Sequence, residues 1–138
     1  MEDQYENILA YIKLRDAGIS NESLDVVYSA AVKGRDLIPF ITKYPSLKPG
    51  QLLEIADGLE SGLTNDQIMI YADPRFLSLQ MRQIKHALRS LGDKNSLNTM
   101  ENILEYAKPE VDWHTMKDKF HLDRTYNVVY VNGGNQND

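Results

Sequence analysis

The sequence predicts an all-α protein of stacked helical hairpins (short helical repeats) with an extended C-terminal segment. Three observations predict this fold: apolar residues recur at helical spacing, a turn sequence that begins with glycine occurs twice, and one stretch around a proline is repeated. We expect about seven short helices in a helical repeat domain over residues 1–124, and an extended segment with a polar tail over residues 125–138.

The first hairpin is predicted by periodicity and by the turn that follows it. A helix is expected over residues 3–16, where one face carries the i, i+3, i+4, i+7 series Ile8, Tyr11, Ile12 and Arg15. Gly18 supplies a left-handed C-cap, and the serine and asparagine after it can cap a second helix.

The same turn sequence pattern occurs a second time further along the chain. GISNESL (residues 18–24) is matched by GLTNDQI (residues 62–68) at the glycine, the aliphatic residue, the hydroxyl residue, the asparagine and the acid. Between the two turns, Pro39 lies in the first turn of a short helix. Pro45 and Pro49 then separate that helix from a longer one over residues 49–60.

A longer repeat surrounds three prolines. YADPRFLSLQM (residues 71–81) recurs as YAKPEVDWHTM (residues 106–116), and Pro45 begins a third, earlier copy. The alignment matches Leu47 with Phe76 and Val111, Gln51 with Gln80 and Thr115, and Ile55 with Ile84, as well as Gly58 with Ala87. Each copy forms one apolar stripe that a single unit cannot bury, so the copies are expected to stack.

The end of the chain has a different character. Residues 125–131, TYNVVYV, are β-branched and aromatic and have strand propensity, and the last seven residues are polar. This segment is expected to pack as an extended arm, to pair with another chain, or to capture a partner by strand addition.

The repeat resembles a family of short helical repeats. The pattern G-L-x-x-x-Q-[IV]-x-x-Y-A-x-P-x-[FY]-x-x-x-Q-M-x-x-I occurs in uncharacterised proteins from phages and mobile elements of Gram-positive bacteria. The similarity is good over roughly residues 50–90 and partial over residues 97–119, where Thr115 replaces the glutamine. The resemblance implies a helical scaffold without catalytic residues, for which binding a host protein is a natural role.

Composition and motifs argue against several functions. The chain has 15 basic and 20 acidic residues, a net charge of −5, and no cysteine. This balance disfavours non-specific binding to nucleic acid or anionic membranes, and we expect a cytoplasmic protein with no membrane contact. We find no phosphate-binding or nucleophile motif, and the series His114, Asp118 and His121 is a weak metal pattern. We therefore expect no enzymatic activity, no metal and no cofactor.

Two functional hypotheses remain. The first is protein binding, with an unidentified host protein as partner and the candidate contact residues Arg75, Arg82, Lys85, Arg89, Trp113, Tyr126 and Tyr130. The alternative is a helix-turn-helix transcriptional regulator, because residues 62–68 are similar to the "G-L-[ST]-N-x-E-I-A" stretch of response-regulator DNA-binding domains. In that case nucleic acid would be bound only through the basic helix of residues 75–89.

Overall fold

The computed structural model describes residues 2–121, with side chains from residue 8 onward, and all regular secondary structure in this part of the chain is helical. It contains α1 (Glu2–Asp16), α2 (Asn21–Val32), α3 (Ile38–Lys43), α4 (Pro49–Glu60), α5 (Asn65–Met69), α6 (Ser78–Arg89), α7 (Met100–Tyr106), α8 (Trp113–Lys119) and the 3-10 turn Ser90–Gly92. The all-α prediction is confirmed. The structure has one α-helix more than expected, because helices as short as α5 hold too few turns for periodicity to reveal them. The predicted segment over residues 125–138 lies outside the described residues.

Along the chain, the eight helices of the described residues form four consecutive pairs, which we call units one to four: α1–α2, α3–α4, α5–α6 and α7–α8. The second helices form a row in which α2 packs against α4, α4 against α6, and α6 against α8. The first helices cover one side of this row, where α5 packs on α4 of the preceding unit and α7 on α6. The stacked-hairpin prediction is therefore confirmed for the described chain.

The second helices of units one to three bury the same positions. Counted from the N-cap residue, the third, fourth, seventh and tenth residues face the core: Ser23, Leu24, Val27 and Ala30; Gln51, Leu52, Ile55 and Gly58; and Gln80, Met81, Ile84 and Ala87. The alignment on prolines found three copies and missed α2, because a glycine turn and not a proline connection precedes this helix. The structure shows that α2 occupies the same place in its unit.

The residue before each N-cap packs down onto the core, as the repeat predicted. Leu47 and Phe76 are buried and Val111 is half-buried, and Ile19 is buried at the corresponding place in unit one. This contact fixes the angle at which the chain enters each second helix.

Two glutamines join consecutive units. Oε1 of Gln51 accepts a hydrogen bond of 2.8 Å from the backbone N–H of Lys48 in its own unit. Its Nε2 donates to the carbonyls of Pro74 (3.0 Å) and Phe76 (2.7 Å) in unit three. The side chain thus caps its own helix and holds the proline connection of the next unit at the same time.

Gln80 repeats this arrangement one unit further on. Its Oε1 accepts from the N–H of Leu77, and its Nε2 donates to the carbonyls of Pro109 and Val111 in unit four. We call these two side chains the glutamine ladder. In unit four, Thr115 occupies the corresponding position. Its backbone N–H donates a hydrogen bond to Oδ1 of Asp112, and the ladder ends there.

Candidate functional site

The row of second helices presents one continuous surface to solvent. The fifth, ninth and twelfth residues of each helix point away from the core, opposite the buried positions. On the two central helices we call this surface the outer face, and it consists of Leu53, Asp57 and Glu60 on α4 and Arg82, His86 and Arg89 on α6. Two of these residues, Arg82 and His86, are half-buried. The others are exposed.

The two helices of the outer face carry opposite charges. α4 has three carboxylates and no cation, whereas α6 has three cations besides its histidine and no carboxylate. The formal charges of the helix pair therefore cancel. The sequence analysis singled out the basic residues of α6 and did not predict that the acidic helix α4 packs beside them, although both sets recur at intervals of three or four residues, which is one face of a helix.

A buried ion cluster lies beneath this face. Nζ of Lys85 lies 2.7 Å from Oε1 of Glu54 and also contacts the carboxylate of Asp57. The guanidinium of Arg82 holds the second oxygen of Glu54 through Nη2 at 3.0 Å and Nε at 3.2 Å. Lys85 is only 4% exposed and Glu54 is buried as well. Periodicity does not predict a buried carboxylate here, and Glu54 is tolerated in the interior because two cations compensate its charge.

The electrostatic environment of Asp57 follows from this cluster. Burial alone would raise the pKa of the Asp57 carboxyl. The hydrogen bond and charge of Lys85, assisted by Arg89 and His86, outweigh burial and lower that pKa below its usual range. Asp57 therefore stays ionised and completes a chain of charges that joins α4 to α6.

The predicted contact residues fall into separate places. Arg82 and Arg89 lie on the outer face, but Lys85 lies in the ion cluster beneath it, so its amino group contacts this chain and not solvent. Arg75 is exposed in the connection before α6, where its guanidinium pairs with Asp73 and lowers the pKa of that carboxyl. Since α6 has 12 residues and is about 18 Å long, Arg75 and Arg89 lie at opposite edges of the stack.

The remaining candidates lie elsewhere. Trp113 is half-buried at the start of α8, with its ring 3.7 Å from the ring centroid of His114 and tilted by 30°. Tyr126 and Tyr130 lie outside the described residues.

A groove of about 410 Å³ runs between α2 and α4 beside the outer face. Its walls include cations and carboxylates, among them Lys33, Arg35, Asp57 and Glu60, together with the apolar side chain of Leu53. Nε of Arg35 is buried and has no hydrogen-bond partner among the described residues. The groove thus extends the mixed polar and apolar surface toward unit one.

The connection between α5 and α6 differs from the one that a DNA-binding helix-turn-helix requires. The first helix of that pair, α5, has five residues, and the connection over residues 70–77 separates it from α6. DNA-binding hairpins of this type join their helices by three or four residues. Two of the three cations assigned to DNA, Arg82 and Lys85, are hydrogen-bonded to Glu54.

Within the described residues, no cluster of three or more histidines, aspartates or glutamates is arranged to hold a metal ion. No helix in that part of the chain has the length and apolar character needed to cross a membrane. Comparison of the chain with protein-family models, with curated proteins and with solved structures finds no match.

Proposed function

We propose that this chain is a non-enzymatic helical protein-binding module, an accessory or inhibitory protein of a phage or mobile element that acts on a host protein. A row of short stacked hairpins supports binding, because such arrays present extended surfaces to partners. The phage or mobile-element part of the proposal rests on the repeat resemblance of residues 50–90.

The observation that carries the proposal is the position of Leu53 on the outer face. This leucine is exposed and lines the groove beside α2 together with Asp57 and Glu60, and the outer face adds the guanidinium groups of α6. Protein interfaces combine an apolar centre with a polar rim of both signs, and arginine is enriched in them. The outer face has this composition, so we assign the partner to it.

The charge balance of the same face favours a protein over DNA. A DNA-binding surface needs cations that neutralise phosphates, and each such contact adds to the salt dependence of binding. On the outer face, the guanidinium groups of Arg82 and Arg89 are matched by the carboxylates of Asp57 and Glu60. A partner with both acidic and basic side chains suits this surface better than a polyanion.

Affinity capture from a Gram-positive bacterial lysate, with and without nuclease, tests the proposal. We expect one protein to be retained by the whole chain despite nuclease and to be lost with the variant Leu53→Glu/Arg89→Glu. Leu104→Glu/Lys108→Glu, which makes the same change in charge at two exposed positions of unit four outside the outer face, is the control and should retain the partner. Purified partner and chain should then bind directly in a titration.

Two results would contradict the proposal. One is retention that disappears with nuclease, accompanied by binding to duplex DNA that weakens steeply with salt; this outcome would favour the regulator alternative. The other is a retained protein that binds the outer-face variant and the control equally well.

A further inference from the structure

Three turns in the described chain end a helix in the same way. Each contains a glycine with a positive φ angle: 95° at Gly18, 82° at Gly34 and 97° at Gly62. The N–H of the residue after each glycine donates to the carbonyl five residues earlier, at 3.1, 2.8 and 3.1 Å. This geometry brings the side chain of that residue back toward the helix, where an apolar contact ordinarily follows.

Arg35 differs from the residues that follow the other two glycines. Ile19 and Leu63 are apolar and buried, each with 8% exposure. Arg35 occupies the same place after Gly34 and is half-buried. Its Nε is buried without a hydrogen-bond partner, and its guanidinium forms no ion pair within the described residues. A half-buried charge without an acceptor costs free energy, so this arginine lowers stability at a place where an aliphatic residue would raise it.

The side chain of Arg35 lines the groove between α2 and α4. Lys33, which is exposed at the end of α2, lines it as well and forms no ion pair within residues 8–121. The third cation of the lining, Lys85, is held by Glu54 and Asp57. The groove therefore contains two cations of unit one that no carboxylate of the described chain neutralises.

The composition of the lining indicates which anion fits. Its three cations and three carboxylates cancel in formal charge, so a phosphate dianion meets more repulsion than a single carboxylate does. A guanidinium presents paired N–H donors that match the two oxygens of a carboxylate. The apolar part of the lining, on which the methylene groups of a glutamate can pack, consists of Val26, Ala30, Leu53 and Ala56.

We infer that this groove binds an acidic side chain of the partner protein, whose carboxylate pairs with Arg35. The inference rests on the proposed function for the existence of the partner and adds the chemistry of one of its contact residues. Leu53 lines the same groove, so the apolar contact and the ion pair belong to one interface. Because Nε of Arg35 is buried, the side chain has to turn for this N–H to reach the carboxylate, which changes the environment of Nε.

Nitrogen-15 NMR of the arginine Nε–H groups tests the site without the partner. The probe is N-acetylglutamate amide, and N-acetylglutamine amide, which has the same shape without the charge, is its control. The chain has six arginines, and the signal that disappears in Arg35→Leu belongs to Arg35. We expect the glutamate probe to shift this signal with a dissociation constant on the order of 1–10 mM, and the glutamine probe to leave it unchanged up to about 100 mM. The Nε–H signal of Arg82, which donates to Glu54, should not move with either probe.

The stability of Arg35→Leu distinguishes a binding role from a structural one. The substitution supplies the aliphatic residue that Ile19 and Leu63 provide in the other turns, so the urea midpoint should rise by about 0.5 M. Arg15→Leu makes the same change at an exposed position of α1 outside the groove, and this matched control should keep the wild-type midpoint. A lower midpoint in Arg35→Leu would show that the guanidinium supports the fold, and it would overturn the inference.

Affinity capture gives a separate result for the partner. The protein that the whole chain retains should bind Arg35→Leu at least about tenfold more weakly, and Arg15→Leu as well as the wild type. Capture of no protein would overturn the proposed function and with it the partner as occupant, whereas unchanged binding to Arg35→Leu would overturn this inference alone. An Arg35 signal that the glutamate probe leaves unchanged would also overturn it. So would a signal that moves in the free chain on Glu2→Gln/Asp3→Asn/Glu6→Gln, because the guanidinium would then pair with the N-terminus of its own chain.

Discussion

The hydroxyl of Tyr71 lies against the backbone of Gly58 and donates a hydrogen bond of 2.8 Å to the carbonyl of Glu54 in the same helix. A Cβ atom on Gly58 would lie 2.2 Å from that hydroxyl oxygen and 2.5 Å from Cδ1 of Ile68. Because Gly58 has no side chain, the hydroxyl of Tyr71 fits against α4, and Tyr71 is fully buried.

The next unit shows the same positions with a different outcome. Ala87 stands where α4 has Gly58, and Tyr106 stands where unit three has Tyr71. Tyr106 is only half-buried, and Nζ of Lys119 lies over its ring at 5.8 Å from the centroid. The methyl group of Ala87 occupies the space that a tyrosine hydroxyl would need, which explains the difference between two residues that the sequence aligns.

Substitution Gly58→Ala should lower the free energy of unfolding by about 1–3 kcal/mol, because overpacking outweighs the gain of about 1 kcal/mol in helix propensity. Urea unfolding followed by circular dichroism measures this. Tyr71→Phe in the Gly58→Ala background should recover part of the loss, because it removes the closest atom. Gly50→Ala, in the same helix but 3.3 Å from the movable hydroxyl of Ser78, is the control and should be tolerated. Equal losses at the two glycines would contradict this explanation.

The glutamine ladder predicts that Gln80→Glu is strongly destabilising at neutral pH. The substitution keeps the acceptor for Leu77 N–H but places a buried carboxylate against the carbonyls of Pro109 and Val111, so we expect a loss of about 2–4 kcal/mol. The pKa of the new carboxyl should be raised, and the loss should shrink as the pH falls and the group becomes a donor.

Gln67→Glu is the matched control for the ladder. Gln67 accepts from the N–H of Thr64 at the same position of its helix, as Gln80 does from Leu77. Within residues 8–121 its Nε2 donates to no neighbouring unit, and a glutamate in a first helical turn is favourable. Urea midpoints at neutral and mildly acidic pH should therefore separate the two variants; similar losses in both would mean that capping alone explains Gln80.

The ion cluster predicts a large effect of Lys85→Met. Removal of the ammonium leaves the buried carboxylate of Glu54 with Arg82 as its one cation and the exposed carboxylate of Asp57 without its ion pair, so we expect a loss of about 3 kcal/mol in unfolding free energy. Adding Glu54→Met should restore much of it, which a double-mutant cycle measures. Arg75→Met, which breaks the exposed pair with Asp73, should leave stability unchanged. An unaffected Lys85→Met protein would show that the cluster contributes nothing to folding.

Stability should fall at acid pH partly through Asp57. The pKa of its carboxyl is lower in the folded chain than the ordinary value of 3.8, so the folded state binds this proton less readily than the unfolded state. The contribution is therefore complete above about pH 4 and is lost as the pH falls through the folded pKa. Urea midpoints of the wild type and Asp57→Asn should differ most near neutral pH and converge in strong acid. A difference that is constant across this range would contradict the assignment.

Periodicity and turn chemistry predicted the architecture because both are local properties. Gly18 and Gly62 have the positive φ angles that their turns require, and Thr64 caps α5 as its turn sequence indicates. The helix over residues 49–60 was predicted with the bounds that the structure shows.

The site was less accessible to prediction because it depends on which helices become neighbours. Lys85 and Arg82 are basic residues on an amphipathic helix, and nothing local to α6 shows that Glu54 lies across from them. Likewise, Gln51 and Gln80 were aligned by the repeat, but their double role becomes visible only when the next unit's carbonyls are in place. The exposed Leu53 was not a candidate, since its helix α4 carries no basic residue.

The glutamine ladder makes the contacts between units directional, and it ends at unit four. Each glutamine accepts a hydrogen bond from a backbone N–H of its own unit and donates to two carbonyls of the unit ahead, so these contacts do not depend on where in the array the unit lies. An in-frame duplication of one glutamine-bearing unit would therefore carry the hydrogen-bonding groups for both of its neighbours. The chain could lengthen in a single genetic event without new contacts having to evolve. Unit four has threonine in place of the glutamine, so its duplication would not supply these hydrogen bonds to a following unit.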